Sequence, residues 1–82
     1  MYWLYILKSL KNDKYYIGQT KNLEQRLTHH NQGKNQSTKY SRPWELIYNK
    51  EFSSRNEVMK FEKYLKSLKN RDYLKKKIID AG

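Results

Sequence analysis

Short apolar segments alternate with polar ones along the first part of the chain, a pattern typical of β-strands joined by turns. Residues 2–8 are aromatic and branched, and they predict a first strand. Residues 11–14 are polar and predict a turn, after which residues 15–18 predict a second strand antiparallel to the first. Further along, residues 44–48 follow Pro43 and predict a third strand.

A first helix is predicted between the second and third strands. Asn22 offers an N-cap, and Gln25 three residues later completes a capping box. Leu23 and Leu27 then form a narrow apolar stripe at helical spacing. The predicted helix ends at residues 31–33, where a glycine can adopt the left-handed conformation of a C-terminal cap.

A longer helix is predicted after a second capping box, in which Ser54 is the N-cap and Glu57 its partner. Its apolar positions recur at helical spacing, at Val58, Phe61, Leu65 and Leu68. Asn70 offers the cap of a last short helix. That segment carries Leu74, Ile78 and, between them, Lys75, Lys76 and Lys77, which predict a solvated face.

The order of elements is strand, strand, helix, strand, helix, helix. It predicts an α+β fold with a small three-stranded antiparallel sheet flanked by helices. Residues 34–42 are polar and without periodicity, so they are predicted to form a loop. The chain shows no repeat and no linker, and its 82 residues predict a single domain over residues 1–82.

Lysine and arginine outnumber aspartate and glutamate by 18 to 8, and the formal net charge of +10 favours polyanions as partners. A membrane surface is disfavoured, because no strongly apolar helix face, lipidation motif or signal-peptide pattern is present. The absence of cysteine excludes disulfides and thiolate metal sites and favours a reducing compartment. We therefore expect a cytoplasmic protein that binds nucleic acid.

Two tyrosines, Tyr5 and Tyr16, lie on the two strands of the predicted hairpin. Tyrosine is common in strands, and the residues alone favour that plain interpretation. A phenol has a pKa of about 10, so it acts as a base only where cations or a metal stabilise the phenolate. Gly18 strengthens the catalytic interpretation, since a glycine at the end of a strand often marks close approach by a phosphate or a helix.

The first predicted helix carries Arg26 and His30 four residues apart, so their side chains share one face. Arg26 lies about 60° around the helix axis from Leu23, at the edge of the apolar stripe, and is expected to lie half over the sheet. A planar guanidinium there would suit a phosphate that gains charge in a transition state. Read alone, the residues are equally compatible with the alternative that Arg26 and His30 belong to a solvated basic face. His29 and His30 point to different faces and make a poor zinc pair.

Glu62 lies within the apolar stripe of the second helix, four residues after Val58 and three before Leu65. A carboxylate in that position must be paired or bound to a metal, because burying it alone is too costly. The alternative is a surface pair of Glu62 with Lys66 at helical spacing. A hard oxygen ligand favours Mg²⁺ or Mn²⁺, held largely by water and substrate phosphate.

The predicted loop mixes cations, hydroxyls, amides and one aromatic ring, which are the groups that bind phosphates and stack bases. Its candidate DNA-binding residues are Lys34, Lys39, Tyr40 and Arg42.

Trp3-Leu4-Tyr5, Tyr16-Ile17-Gly18, Arg26, His30 and Glu62, in this order and spacing, resemble the GIY-YIG endonuclease domain over essentially the whole chain. The likeness is to the small stand-alone bacterial members, which resemble the N-terminal nuclease part of excision-repair endonucleases. The first motif departs from the family pattern, because Trp3-Leu4 stands where the family has Gly-Ile.

The resemblance implies a three-stranded antiparallel sheet with helices and metal-dependent hydrolysis of DNA. By position, Tyr5 and Tyr16 match the hairpin tyrosines, Arg26 the helix arginine and Glu62 the single metal-binding carboxylate. His30 matches a position that is histidine in some members. Which tyrosine is the base stays open.

We therefore expect an endonuclease that uses Mg²⁺ or Mn²⁺ and acts in DNA repair or processing, with branched and single-stranded DNA among the candidate substrates. One alternative is a non-catalytic nucleic-acid-binding module that retains the fold. Another is an adaptor whose basic face docks an acidic protein.

Overall fold

The computed structural model describes residues 1–68 together with Leu74 and Lys76. Its strands are β1 (Tyr2–Ser9), β2 (Tyr15–Thr20) and β3 (Trp44–Phe52), and its helices are α1 (Leu23–Asn31) and α2 (Arg55–Ser67). The order strand, strand, helix, strand, helix confirms the predicted α+β fold as far as α2. The predicted last helix lies outside the described residues, apart from Leu74 and Lys76.

The three strands form one antiparallel sheet in the order β2-β1-β3. In the central strand, Tyr5 pairs with Gly18 on one side and with Asn49 on the other. The pairing of β1 with β3 shifts between Ile6 and Leu7, which leaves one extra residue in β3, a β-bulge.

Both faces of β1 are buried, because successive side chains of a strand point to opposite faces. On the face covered by α2, a core forms from Leu4, Ile6, Val58, Leu65 and Leu74. On the face covered by α1, a second core forms from Tyr5, Leu7 and Trp44, packed with Tyr16, Leu23, Leu27 and Leu46. The apolar stripes predicted on both helices are therefore the stripes that meet the sheet.

The helix ends follow the local sequence. The side chain of Asn22 accepts a hydrogen bond from the backbone N–H of Gln25 at 3.0 Å, which confirms the predicted N-cap of α1. The backbone N–H of Asn22 donates to the hydroxyl of Thr20 at 3.1 Å, so the return bond of a capping box is made by Thr20 rather than by Gln25. α1 ends at Asn31, and Gly33 has a φ of 77°, as predicted for its cap.

The second cap is also confirmed. The side chain of Ser54 accepts from the backbone N–H of Glu57 at 3.2 Å at the start of α2. The Glu57 carboxylate in turn accepts from the hydroxyl of Ser53 at 3.4 Å.

The segment predicted as a plain polar loop is partly ordered by the rest of the fold. Lys39–Ser41 forms one turn of 3₁₀ helix, and Thr38 and Ser41 are buried. The hydroxyl of Ser9 donates to the carbonyl of Ser41 at 2.5 Å, and the side chain of Asn12 donates to the Ser41 hydroxyl at 3.0 Å. These bonds dock the segment against the turn between β1 and β2.

Candidate active site

Tyr5, Gly18 and Tyr16 meet on the face of the sheet covered by α1. Gly18 lies opposite Tyr5 in the antiparallel pairing, and a β-carbon at Gly18 would lie 2.6 Å from the phenol oxygen of Tyr5. The group that approaches the glycine is therefore the phenol of Tyr5, not a phosphate or a helix as the sequence predicted. The ring centroids of Tyr5 and Tyr16 are 6.2 Å apart.

His30 joins Tyr5 to the segment after α1. Its side chain is fully buried, with Nε2 3.1 Å from the Tyr5 phenol oxygen and Nδ1 2.8 Å from the Thr38 hydroxyl oxygen. The Thr38 hydroxyl can donate to the carbonyl of Asn35, 3.5 Å away, and in that arrangement it accepts from His30 Nδ1–H. That assignment leaves a lone pair on Nε2, which accepts the hydrogen of the Tyr5 phenol.

The environment fixes the charge of both groups. Burial lowers the pKa of His30, and the nearby charge of Arg26 lowers it further, so the imidazole is neutral near pH 7. Burial also raises the pKa of Tyr5 well above its usual range, and the neighbouring Tyr16 adds to the effect. Arg26 opposes the rise and Glu62 increases it. Tyr5 is therefore a neutral phenol, and in the tautomer with His30 Nδ1 protonated its hydrogen faces a proton acceptor.

Arg26 lies on α1 and is exposed to solvent. Its charge still reaches the site, since it lowers the pKa of both Tyr5 and His30. Arg26 and His30 occupy different environments although they are one helical turn apart: the histidine is buried and the arginine faces solvent.

Glu62 of α2 is held at both oxygens. Its Oε1 accepts from the side-chain amide of Gln19 at 3.0 Å, and its Oε2 lies 2.8 Å from the ammonium nitrogen of Lys66. The Glu62 side chain is 18% exposed and that of Lys66 is 55% exposed. The pair that the sequence offered as the alternative is therefore formed, but around a carboxylate that is mostly covered and that also binds Gln19.

The carboxylate and the aromatic cluster lie on opposite faces of the sheet. Gln19 pairs with Leu4, whose side chain belongs to the core under α2, whereas Gly18 pairs with Tyr5 in the core under α1. Glu62 nevertheless raises the pKa of Tyr5, so the two groups are within electrostatic reach of one another across β2. The candidate site thus surrounds strand β2, which is an edge of the sheet.

A divalent cation fits this site in only one coordination mode. Within the described part of the chain, no group of three or more His, Cys, Asp or Glu side chains is placed to hold a metal ion. Mg²⁺ is commonly bound by one or two carboxylates, with water and phosphate supplying the other ligands. Glu62 fits that mode, because its Oε2 already faces a cationic group that is itself exposed and on a flexible stem.

The candidate DNA-binding residues lie on the segment between α1 and β3. Lys34, Tyr40 and Arg42 are exposed, and the ammonium nitrogen of Lys39 lies 4.9 Å from the ring centroid of Tyr40. The guanidinium of Arg42 packs against Gly33, where a β-carbon would collide with it. The structure therefore brings Lys39 and Tyr40 together and places Arg42 at the end of α1.

Sequence reasoning missed two residues of the site, Gln19 and Thr38. Both are uncharged polar side chains whose partners, Glu62 and His30, lie on other elements of the chain. The only local indication is position: Gln19 directly follows Gly18, and Thr38 lies in the segment that already contained the predicted DNA-binding residues.

Comparisons with known proteins show the family to which the chain belongs. The family model of the GIY-YIG catalytic domain matches residues 1–77. The chain is 40% identical over 68 residues to the UPF0213 protein YazA of Bacillus subtilis, which covers 82% of this chain and 68% of that protein. It is 39% identical over 75 residues to a UPF0213 protein of Staphylococcus haemolyticus, which covers 90% of both. The solution NMR structure of a UPF0213 protein from Bacillus halodurans superposes with a TM-score of 0.57 at 31% identity, covering 93% of this chain and 81% of that chain.

The chain therefore belongs to the GIY-YIG family, as the resemblance of its motifs predicted. This family is typically one of endonucleases that act on DNA and generally use a divalent metal. Among the residues that the structure describes, neither helix is long and apolar enough to cross a membrane.

Proposed function

We propose that this protein is a DNA endonuclease that hydrolyses phosphodiester bonds with a divalent ion, Mg²⁺ or Mn²⁺, bound at Glu62. The observation that carries the proposal is the buried chain of hydrogen bonds from Tyr5 through His30 to Thr38. A neutral imidazole with its lone pair on a phenol is an arrangement for moving a proton, which a purely structural core does not require.

In this proposal, Tyr5 and His30 work as one unit. As water attacks the phosphorus, the phenol oxygen of Tyr5 takes a proton from the water while its own proton passes to His30 Nε2. The raised pKa of Tyr5 is compatible with this role because no free phenolate has to form. The ring centroids of Tyr16 and His30 are 4.8 Å apart, with the rings tilted by 60°. Tyr16 is the more accessible of the two tyrosines, so we assign it to positioning the substrate.

The charged residues would stabilise the reacting phosphate. Arg26 is exposed on the side of the tyrosines and offers a planar donor for a phosphate oxygen. Glu62 would hold the divalent ion after Lys66 has swung away from Oε2. Such an ion polarises phosphate oxygens and lowers the pKa of bound water when it is present. Lys34, Lys39, Tyr40 and Arg42 would bind the DNA backbone and bases.

The test is a nicking assay with and without Mg²⁺ on duplex, branched and single-stranded DNA. Glu62→Gln keeps the shape of the side chain and its bond with Gln19 but removes the charge that a cation needs. Cleavage should collapse while the melting temperature hardly changes, since an ion pair with an exposed lysine contributes less than about 1 kcal/mol. Glu51→Gln, a change at an exposed position of β3, is the matched control and should cleave like the parent. Unchanged nicking by Glu62→Gln would refute the metal role.

The shared role of Tyr5 and His30 has a test of its own. Groups that act as one unit in catalysis give strongly non-additive losses when they are removed together. The double variant Tyr5→Phe with His30→Gln should therefore nick about as slowly as the worse single variant. Multiplying losses would show that the two residues act separately, and full activity of Tyr5→Phe would move the base role to Tyr16.

One observation favours a second candidate function, a non-catalytic nucleic-acid-binding module. Lys66 pairs with Glu62, the only acidic side chain assigned to the site. Such a pair is expected in a domain that no longer binds a metal ion. Lys66→Met separates the two candidates. If the parent does not nick DNA and Lys66→Met does, the ion pair is what silences a competent site; if neither nicks, the binding module is favoured.

We further propose that residues 1–82 form one nuclease-like domain that acts on DNA repair or processing intermediates in the cytoplasm. Its charge of +10 supports a polyanionic substrate.

A further inference from the structure

Tyr40 is the large aromatic side chain that the described structure leaves most open to solvent, with 74% of the residue exposed. A single exposed apolar side chain is ordinary in itself. The setting of Tyr40 is unusual, because hydrogen bonds hold the backbone at this position. The ammonium group of Lys11 donates to the carbonyl of Tyr40 at 3.2 Å, and the next carbonyl, that of Ser41, accepts from Ser9 at 2.5 Å.

The ring is also placed among cations. Lys39 lies over it, with the ammonium nitrogen 4.9 Å from the centroid, and Lys11 reaches the same residue from the turn between β1 and β2. With Lys39 on one face and most of the residue exposed, the remaining ring surface faces water. An open aromatic face beside cations is the combination that proteins use to stack a base and bind its phosphate.

The same segment is anchored to the candidate active site. Thr38, two residues before Tyr40, binds His30 Nδ1 at 2.8 Å, and its carbonyl accepts from the indole N–H of Trp44 at 3.0 Å. The ring therefore stands on a rigid segment that also holds the proposed catalytic histidine. A nucleotide stacked on Tyr40 would belong to a strand that passes close to the site.

A base inside a duplex is already stacked on both sides, so its face is unavailable to a protein ring unless the stack opens. We propose that Tyr40, with Lys39 and Lys11, is a stacking platform for an unpaired base, and that the substrate class is DNA with a single-stranded segment beside the cleavage position. This inference rests on the proposed function in taking DNA as the ligand. Lys11 is a residue of this surface that the sequence did not predict.

The experiment measures affinity without any cleavage. Fluorescence anisotropy in EDTA would compare one labelled oligonucleotide as a single strand and as a perfect duplex, with the parent protein, Tyr40→Ala and Tyr40→Phe. Loss of one base stack should weaken single-strand binding by roughly five- to 150-fold. Duplex binding should change by less than about twofold, because phosphate contacts dominate it. Tyr40→Phe keeps the ring face and should stay within about twofold of the parent on both ligands.

Tyr64→Ala is the matched control, because Tyr64 is also exposed, at 47%, but lies on α2 away from this segment. It should leave both affinities unchanged. A second readout places 2-aminopurine in the single strand: the parent and Tyr40→Phe should alter its emission on binding, and Tyr40→Ala should not.

Two results would overturn the platform. One is an equal loss of affinity for single strand and duplex in Tyr40→Ala; the other is no loss at all. Since these measurements contain no metal, a protein without nuclease activity can still show the Tyr40-dependent preference. Conversely, metal-dependent nicking of plain duplex with no effect of Tyr40→Ala would leave the nuclease proposal standing and remove only the platform.

Discussion

Gly18 occupies its position in β2 because the phenol of Tyr5 lies where a β-carbon would be. In Gly18→Ala the new methyl group would stand 2.6 Å from the phenol oxygen and 2.8 Å from the ring carbon that bears it. Tyr5 is only 2% exposed and is bonded to His30, so its ring cannot swing away without losing that bond. Overpacking of this kind costs about 1–3 kcal/mol, more than the gain from a stiffer unfolded chain.

We expect the loss in the free energy of unfolding measured with urea. Tyr5→Phe supplies the control background, since it removes the nearest of the colliding atoms. Gly18→Ala should therefore cost less in Tyr5→Phe than in the parent. An equal cost in both would mean that the phenol oxygen is not what the glycine accommodates.

His30 makes the stability of the fold depend on pH. Its pKa is lowered in the folded protein by burial and by Arg26, so the unfolded chain binds more protons as the pH falls below the ordinary histidine pKa of about 6.5. The contribution of His30 to stability is therefore fully present above that pH and is lost as the pH falls toward the lowered value. Melting temperatures across this range should show the decrease.

The neighbouring histidine provides the comparison. His29→Asn should retain the decrease, and His30→Asn should be less stable at neutral pH but show a flatter profile. The same profile in His30→Asn as in the parent would assign the pH dependence to other groups.

The two helices and three strands were predictable because their causes are local. The caps at Asn22 and Ser54, the left-handed Gly33 and the apolar stripes are read from residues within a few positions of one another. The extension of β3 as far as Phe52 could not be predicted, since residues 49–51 are polar and form a strand only by pairing with β1. Strand pairing with a distant partner overrides local preference there.

The same distinction explains what was predictable of the site. Tyr5, Tyr16 and Glu62 stand out by motif or by an unusual position on a helix. The burial of Thr38 and Ser41 could not be predicted, because it depends on bonds to His30 and Ser9, which are distant in sequence. A polar segment of this kind looks like a solvated loop until its partners are known.

At the scale of elements, Asn31 fastens the end of α1 to the start of β3. Its side-chain oxygen accepts from the backbone N–H of Trp44 at 2.6 Å, and its side-chain amide donates to the Trp44 carbonyl at 3.2 Å. Asn31→Ala removes both partners and leaves these backbone groups unpaired, which should cost about 1–3 kcal/mol in urea unfolding. Gln32→Ala, at the exposed next position, should change stability by less than about 0.5 kcal/mol. Equal effects of the two variants would show that the bonds between Asn31 and the Trp44 backbone do not stabilise the fold.

The whole molecule is dominated by its charge. The chain has eighteen basic and eight acidic residues. Within the described ranges only two acidic side chains form ion pairs, Asp13 with Lys8 and Glu62 with Lys66. Most of the positive charge is therefore available to a polyanion, and a body of such small extent, 29 × 28 × 19 Å, concentrates it.

This charge predicts how DNA binding responds to salt. Each neutralised phosphate releases counterions, so a plot of log affinity against log salt concentration should fall with a slope of about −0.9 per contact on duplex DNA. If Lys39 makes one phosphate contact, Lys39→Ala should weaken binding to any duplex sequence and make the slope shallower by about one. Lys60→Ala, at an exposed position of α2, is the control and should leave the slope unchanged if the DNA lies over the segment between α1 and β3. An equal change in the two variants would mean that the charge attracts DNA to the whole surface, and a plot without slope would remove the electrostatic basis of binding altogether.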